Sequence, residues 1–201
     1  MKWLAIIAEA VDPLMSLAET LTVLNKLVDD GVIDTYAIAG AVAAYYYIEP
    51  TLTEDLDVLI TLDTTGPSGL LALTPILSAL SAMGYTEFRD EGIVIGEWPV
   101  QFWPVANALD AEALQTAKSI DVSIQGNVFK TWVLLPEYLV AKALEVGRSK
   151  DNARIVQFIE DKAVDMERLR EILQQSGLGQ KWDRFRRRTG IDDNGVDDPN
   201  G

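Results

Sequence analysis

Asp55 and Asp57 stand two residues apart in the run Leu56-Asp57-Val58-Leu59-Ile60-Thr61-Leu62, entered from Thr53-Glu54-Asp55. The alternation of apolar residues reads as a β-strand. Successive strand side chains point to opposite faces, so the two carboxylates project from the same one. Two negative charges held that close repel unless a cation sits between them. A divalent cation relieves the repulsion, and phosphoryl or nucleotidyl transfer needs such a cation to neutralise a triphosphate and activate the attacking oxygen. The composition narrows the chemistry further: 201 residues carry 31 Asp plus Glu and 17 Lys plus Arg, with neither histidine nor cysteine. Thiol nucleophiles, histidine triads, disulfides and Cys/His zinc sites are thereby excluded. Carboxylate, hydroxyl, lysine and arginine chemistry remains, and oxygen ligands suit Mg²⁺ or Mn²⁺.

Fifteen residues before Asp55, Gly40 lies between a short predicted strand, Thr35-Tyr36-Ala37-Ile38, and a predicted helix over Ala41 to Tyr47. Free backbone N–H groups at such a junction can receive phosphates, and a glycine lets the ligand approach the main chain. Taken alone, Gly40 is equally compatible with a plain strand break. The order strand, Gly40, helix, Pro50, Thr53, then Asp55-x-Asp57 opening a second strand says more than any of its parts.

The elements that must position these residues follow from periodicity. Asp12-Pro13 reads as a helix start, with Leu14, Leu17, Leu21, Leu24 and Leu27 on one face as far as Gly31. Gly66-Pro67-Ser68-Gly69 predicts a loop before a helix through Leu70, Leu73, Ile76, Leu77 and Leu80. Short strands follow over 85–89, 93–95 and 100–103, then a helix over 111–117. A hairpin is expected around Gly126-Asn127, joining 122–124 to 128–133. Pro136 starts a helix reaching Val146, Ser149 is a candidate cap for the next, and helices over about 165–175 and 179–189 close the chain. Hairpins argue against a purely parallel sheet, so the expected class is α+β: a mixed sheet flanked by helices, with a helical C-terminal region. The expected division is a core with N-terminal helices over 1–134, helices over 135–191 packed on it, and a loosely held polar tail, 192–201.

Charge is uneven. Residues 1–140 hold 5 basic and 19 acidic side chains, residues 141–191 hold 12 and 8, and the last ten add four acids, for a net charge of −14. So acidic a chain is a poor nonspecific duplex DNA binder, because phosphate neutralisation needs a cationic face. The N-terminal apolar run Trp3 to Ala8 is cut short by Glu9, far below the about 20 apolar residues of a membrane span. The expectation is a cytoplasmic protein without a membrane partner. Trp98, Phe102 and Trp103 read as core or pocket wall, since no basic residues are interleaved with them. Arg184, Arg186, Arg187 and Arg188 beside Trp182 and Phe185 form the one basic-aromatic cluster. Docked aromatics with arginines facing the acidic part of the chain are the simpler account; RNA contact is the alternative.

The stretch Tyr36-Ala37-Ile38-Ala39-Gly40-Ala41, Glu49-Pro50 and Thr53-Glu54-Asp55-Leu56-Asp57-Val58 resembles the nucleotidyltransferase superfamily of polymerase-β-like fold, in particular the AbiEii-like abortive-infection toxin type and its small bacterial relatives. Similarity continues through Trp98-Pro99-Val100-Gln101-Phe102, Leu135 to Leu139 and Gly147 to Asp151, so that it spans about residues 35–160. The resemblance implies Mg²⁺-dependent transfer of a nucleoside monophosphate from a nucleoside triphosphate to an RNA or protein hydroxyl. It makes Gly40 and Ala41 the triphosphate pair, where relatives carry Gly-Ser or Gly-Gly, and Asp55 and Asp57 the metal pair, preceded by Thr53. Gln101 then stands where a third, catalytic carboxylate is expected, and an amide neither balances a metal charge nor takes up a proton at neutral pH. Glu97 is the nearest acid, four positions away. The resemblance also sets Lys142, Arg148 and Lys150 near the phosphates, with Asp151 as their orienting partner. A catalytically degenerate nucleotide-binding or interaction module, partnered as a toxin or an antitoxin, is the competing expectation.

Overall fold

The computed structural model describes residues 11–50, 53–61, 73–192 and 195–196. The predicted loop at 66–69, Leu70 and the apolar run 3–8 lie outside them. The chain divides into two compact units, one holding the chain as far as Tyr46 and again from Pro50 to Leu134, the other holding Tyr47–Glu49 and the chain from Leu135 onward.

The first unit is α+β. It contains α1 (Val11–Asp29), β1 (Thr35–Ile38), α2 (Gly40–Ala44), β2 (Leu56–Thr61), α3 (Thr74–Ala82), β3 (Phe88–Arg89), β4 (Gly92–Ile95), β5 (Trp98–Pro104), α4 (Ala108–Gln115), β6 (Lys118–Ile124) and β7 (Asn127–Val133). The strands form one seven-stranded sheet in the order β3-β4-β5-β2-β1-β7-β6. It is mixed: β2 runs parallel to β5 and β1 to β7, whereas β1/β2, β3/β4, β4/β5 and β6/β7 are antiparallel.

Helix α1 places Leu17, Leu21, Leu24 and Leu27 in the core at the expected spacing. Thr20 Oγ1 donates to the Ile95 carbonyl at 2.8 Å, tying the helix to β4. On β2, Leu56, Val58 and Ile60 are fully buried, while Asp55, Asp57 and Thr61 are half-buried. The other face carries the polar residues, as the alternation predicts. Leu59 departs from the pattern and is also buried.

Several boundaries differ from expectation for local reasons. Helix α4 begins at Ala108 because Asn107 Oδ1 accepts from the Asp110 N–H at 2.9 Å, an N-cap the apolar spacing did not mark. That frees Lys118 to start β6, which pairs with β7 along its whole length. Of the predicted 85–89 strand only Phe88 and Arg89 belong to β3, although the Glu87 carbonyl also accepts from the Val94 N–H at 2.8 Å. The helix after β1 stops at Ala44 rather than Tyr47.

The second unit contains α5 (Pro136–Val146), α6 (Ser149–Glu160), α7 (Met166–Gln175) and α8 (Gly179–Thr189), then a two-residue antiparallel pair, β8 (Ile191–Asp192) with β9 (Gly195–Val196). The predicted polar tail therefore includes paired backbone at 192 and 195–196. Its core is Tyr138, Ile155, Phe158, Leu169, Leu173, Trp182 and Phe185, all buried. Glu137 Oε1 accepts from the Asp165 N–H at 3.0 Å and so joins α5 to the start of α7. Ser149 is the first residue of α6 and not its cap; Arg148 takes the cap position and the Asp151 carboxylate accepts from its N–H at 3.2 Å.

Candidate functional site

Strand direction assembles the site in the first unit. Because β1 and β2 are antiparallel, the end of β1 meets the beginning of β2, with Ile38 opposite Val58 and the Ala39 N–H donating to the Asp57 carbonyl at 2.8 Å. Gly40 is thereby delivered to Asp57. Because β2 and β5 are parallel, their early residues lie side by side, and Gln101 is the register partner of Asp57. Two residues on, Trp103 partners Leu59. The 3.8 or so ångströms of one peptide step would be enough to lose these alignments.

Gly40 has φ +58°, a left-handed conformation in which side chains are strained. A Cβ placed there would lie 1.9 Å from Asp57 Oδ2. The aspartate carboxylate thus occupies the space a side chain at position 40 would take. This contact ties the predicted phosphate turn to the predicted metal ligand. Ala41, next in α2, is buried.

The carboxylates are held by neutral donors. Thr53 Oγ1 donates to Asp55 Oδ1 at 2.7 Å, and Gln101 Nε2 lies 3.5 Å from Asp55 Oδ2, at the outer limit of a hydrogen bond. Trp103 Nε1 donates to Asp57 Oδ1 at 3.0 Å. Gly40, Thr53, Asp55, Asp57 and Gln101 are therefore together at one end of β2. Trp103 joins them; of the two expected places, core or pocket wall, its half-exposed indole excludes the core. The signal was present, since Trp103 shares parity with Gln101 on β5, but strand pairing had to place β5 beside β2 before that parity pointed to Asp57.

Among the described residues no third acid completes the pair. Among the described residues no group of three carboxylate, histidine or cysteine side chains is placed to hold one metal ion. Glu97 lies instead in the β4–β5 turn with φ +71°, lining a cavity of about 420 Å³ with Ser16, Glu19 and Gly96.

Lys142, Arg148, Lys150 and Asp151 belong to the second unit. Lys142 Nζ pairs with Glu145 Oε2 at 2.6 Å within α5. Asp151 is buried and receives Arg148 Nε at 2.9 Å, with Arg154 at 3.8 Å. The described ion-pair partners of Asp151 are thus Arg148 and Arg154, and Lys150 is not among them. Lys150 is exposed on the first turn of α6.

No family model and no curated protein sequence matches the chain. Solved structures that it resembles include an antigenic nucleotidyltransferase-like protein from Paracoccidioides brasiliensis, 17% identical, with 87% of this chain and 89% of that one covered and a TM-score of 0.45. The solution structure of the antibiotic-resistance factor ANT(2″)-Ia is 12% identical over 87% of this chain and 97% of that one, with a TM-score of 0.49. ANT(2″)-Ia in complex with adenylyl-2″-tobramycin is 13% identical over 81% and 98%, with a TM-score of 0.47.

Proposed function

We propose that the chain acts as a nucleotidyltransferase: Asp55 and Asp57 hold Mg²⁺ or Mn²⁺ carrying a nucleoside triphosphate, and a nucleoside monophosphate passes to a hydroxyl of RNA or protein. The observation that carries this reading is the packing of the Asp57 carboxylate against Gly40, which puts a carboxylate and the main chain of the glycine turn side by side. Two half-buried carboxylates on one strand face suit a hard cation that draws its remaining ligands from phosphate oxygens and water. Bound there, the cation would neutralise the phosphates and polarise the reacting phosphorus.

The residues themselves divide the rest of the work. Thr53 orients the Asp55 carboxylate through the hydrogen bond at 2.7 Å. The backbone at Gly40 and Ala41 receives phosphate oxygens. In the transfer, the acceptor oxygen bonds to the α-phosphorus, the bond to the bridging oxygen breaks, and pyrophosphate leaves. Gln101 takes up no proton at neutral pH, so the hydroxyl proton passes to an aspartate oxygen or to water.

Gln101 favours a second reading, in which the site binds nucleotide without transferring it and the protein acts as an interaction module, partnered as toxin or antitoxin. What supports it is that Gln101, the register partner of Asp57, is a neutral amide, whereas the resemblance implies a carboxylate there. Labelled nucleoside triphosphates, Mg²⁺ or Mn²⁺ and total RNA, incubated with wild type, Asp57→Ala and Gln101→Asp, separate the two. Label transfer by wild type and not by Asp57→Ala supports the first reading. Nucleotide binding without transfer, with transfer gained in Gln101→Asp, supports the second. Absence of metal-dependent nucleotide binding in wild type overturns both.

A further inference from the structure

Trp103 is a large aromatic side chain left half exposed beside two carboxylates, where burial in a core would have been its ordinary fate. It sits on β5, diagonal to Asp57 across the parallel β2/β5 pair, at a separation that only a long side chain spans. Its indole N–H reaches back to Asp57 Oδ1 at 3.0 Å. On the opposite side of the same carboxylate, Oδ2 fills the space against Gly40. Asp57 is therefore held by a donor from β5, while its other oxygen packs against the glycine that opens α2.

Asp55 is held from its own segment by Thr53 at 2.7 Å, while its β5 partner is the weak 3.5 Å contact from Gln101. Trp103 thus supplies the shorter of the two described hydrogen bonds from β5 to the carboxylate pair. An indole donates one hydrogen bond and accepts none, so it can orient a carboxylate without taking part in proton transfer.

We propose that Trp103 is a positioning residue: its indole N–H presets the Asp57 carboxylate in the orientation that receives the metal-bound nucleotide. This rests on the nucleotide-binding reading above. The consequence is that binding loses its preorganisation when the N–H is removed, while the fold, to which a half-exposed ring adds little, stays intact. It also assigns to β5 a role at the site that the neutral Gln101 alone would not support.

The test uses the full chain and two readouts. The indole N–H signals of the five tryptophans are recorded by NMR without ligand, and Trp103→Phe assigns its own by loss. Asp57→Ala is expected to move the Trp103 signal and leave the other four in place. Titration with Mn²⁺ and ATP is expected to broaden the Trp103 signal first in wild type. In Trp103→Phe the affinity for Mn²⁺·ATP is expected to fall about tenfold, the scale of one hydrogen bond to a charged group, with the native circular dichroism spectrum retained. A Trp103 signal indifferent to Asp57→Ala overturns the hydrogen bond itself. Wild-type affinity in Trp103→Phe overturns the positioning role while leaving the nucleotide site standing. A wild type that binds no Mn²⁺·ATP, yet whose Trp103 signal responds to Asp57→Ala, overturns both the nucleotide reading and the role assigned to Trp103.

Discussion

Gly40 carries two constraints that are separate in most proteins, a left-handed backbone and a carboxylate where its side chain would be. Gly40→Ala must bear the conformational cost of about 1–2 kcal/mol and also displace Asp57. The expected outcome is a lower melting temperature together with loss of metal-dependent nucleotide binding, measured by thermal denaturation and by Mn²⁺·ATP titration. Gly126, also at positive φ but with nothing near its absent Cβ, is the control: Gly126→Ala should lower stability by a similar conformational amount and leave binding untouched. Gln101 was legible as the anomalous residue from sequence. Its register partner was not, because pairing depends on which strands become neighbours and not on the residues of either strand alone.

At the scale of elements, Tyr36 clasps three of them. Its hydroxyl donates to Asn25 Oδ1 of α1 at 2.9 Å and lies 3.1 Å from Thr131 Oγ1 of β7, while its ring meets Trp132 edge-on at 5.6 Å. Burial pushes this phenol up to about 12 from its ordinary 10.0, offset in part by the Thr131 hydroxyl bonding to it. The folded state therefore favours the protonated form. The stability this contributes is complete below pH 10 and is lost as pH rises through 12, so alkaline unfolding should begin within that window. In Tyr36→Phe that component of the pH dependence should disappear, at a cost of about 1 kcal/mol for the lost hydrogen bond. Circular dichroism against pH on the two proteins measures both effects.

Helix α6 illustrates a residue whose role sequence and structure divide differently. Asp151 accepts from the Arg148 N–H at the start of the helix, so Asp151→Ala should cost about 1–2 kcal/mol, as helix caps do. Lys150→Ala, which breaks no described ion pair, should leave stability unchanged. In α8, Trp182 and Phe185 stack at 5.4 Å and are buried, yet Trp182 Nε1 has no hydrogen-bond partner. Trp182→Phe removes that orphaned donor and should be close to neutral, whereas Trp182→Ala should cost about 3–5 kcal/mol; denaturant melts of the two distinguish packing from the N–H. The arginines of this helix that are exposed, Arg184, Arg187 and Arg188, appear in none of the described ion pairs, so the expected pairing with acidic residues is not among the described contacts.

For the whole molecule, a net charge of −14 with only a handful of described ion pairs means that self-repulsion opposes folding at low ionic strength. Raising salt from about 0.01 M to 0.15 M shortens the screening length from about 30 to 8 Å, and the melting temperature should rise over that interval. If Asp55 and Asp57 form a cation site, Mg²⁺ or Mn²⁺ at equal ionic strength should raise it further in wild type and not in Asp57→Ala. Among the described residues no helix is long and apolar enough to cross a membrane.

Local pattern by itself determined a good deal: the α+β class, the helices over 136–146, 166–175 and 179–189 nearly to the residue, the β6–β7 hairpin, and the shared face of Asp55 and Asp57. Each depends on interactions within a few residues, namely periodicity, caps and turns, which a sequence displays directly. Tertiary structure alone decided that β5 runs parallel beside β2, that Gly40 makes room for the Asp57 carboxylate, that Trp103 reaches that carboxylate, and that Glu97 lies elsewhere. Those outcomes turn on strand order and register between segments as far as 46 positions apart, set by the burial of whole sheet faces and not by the character of any one segment.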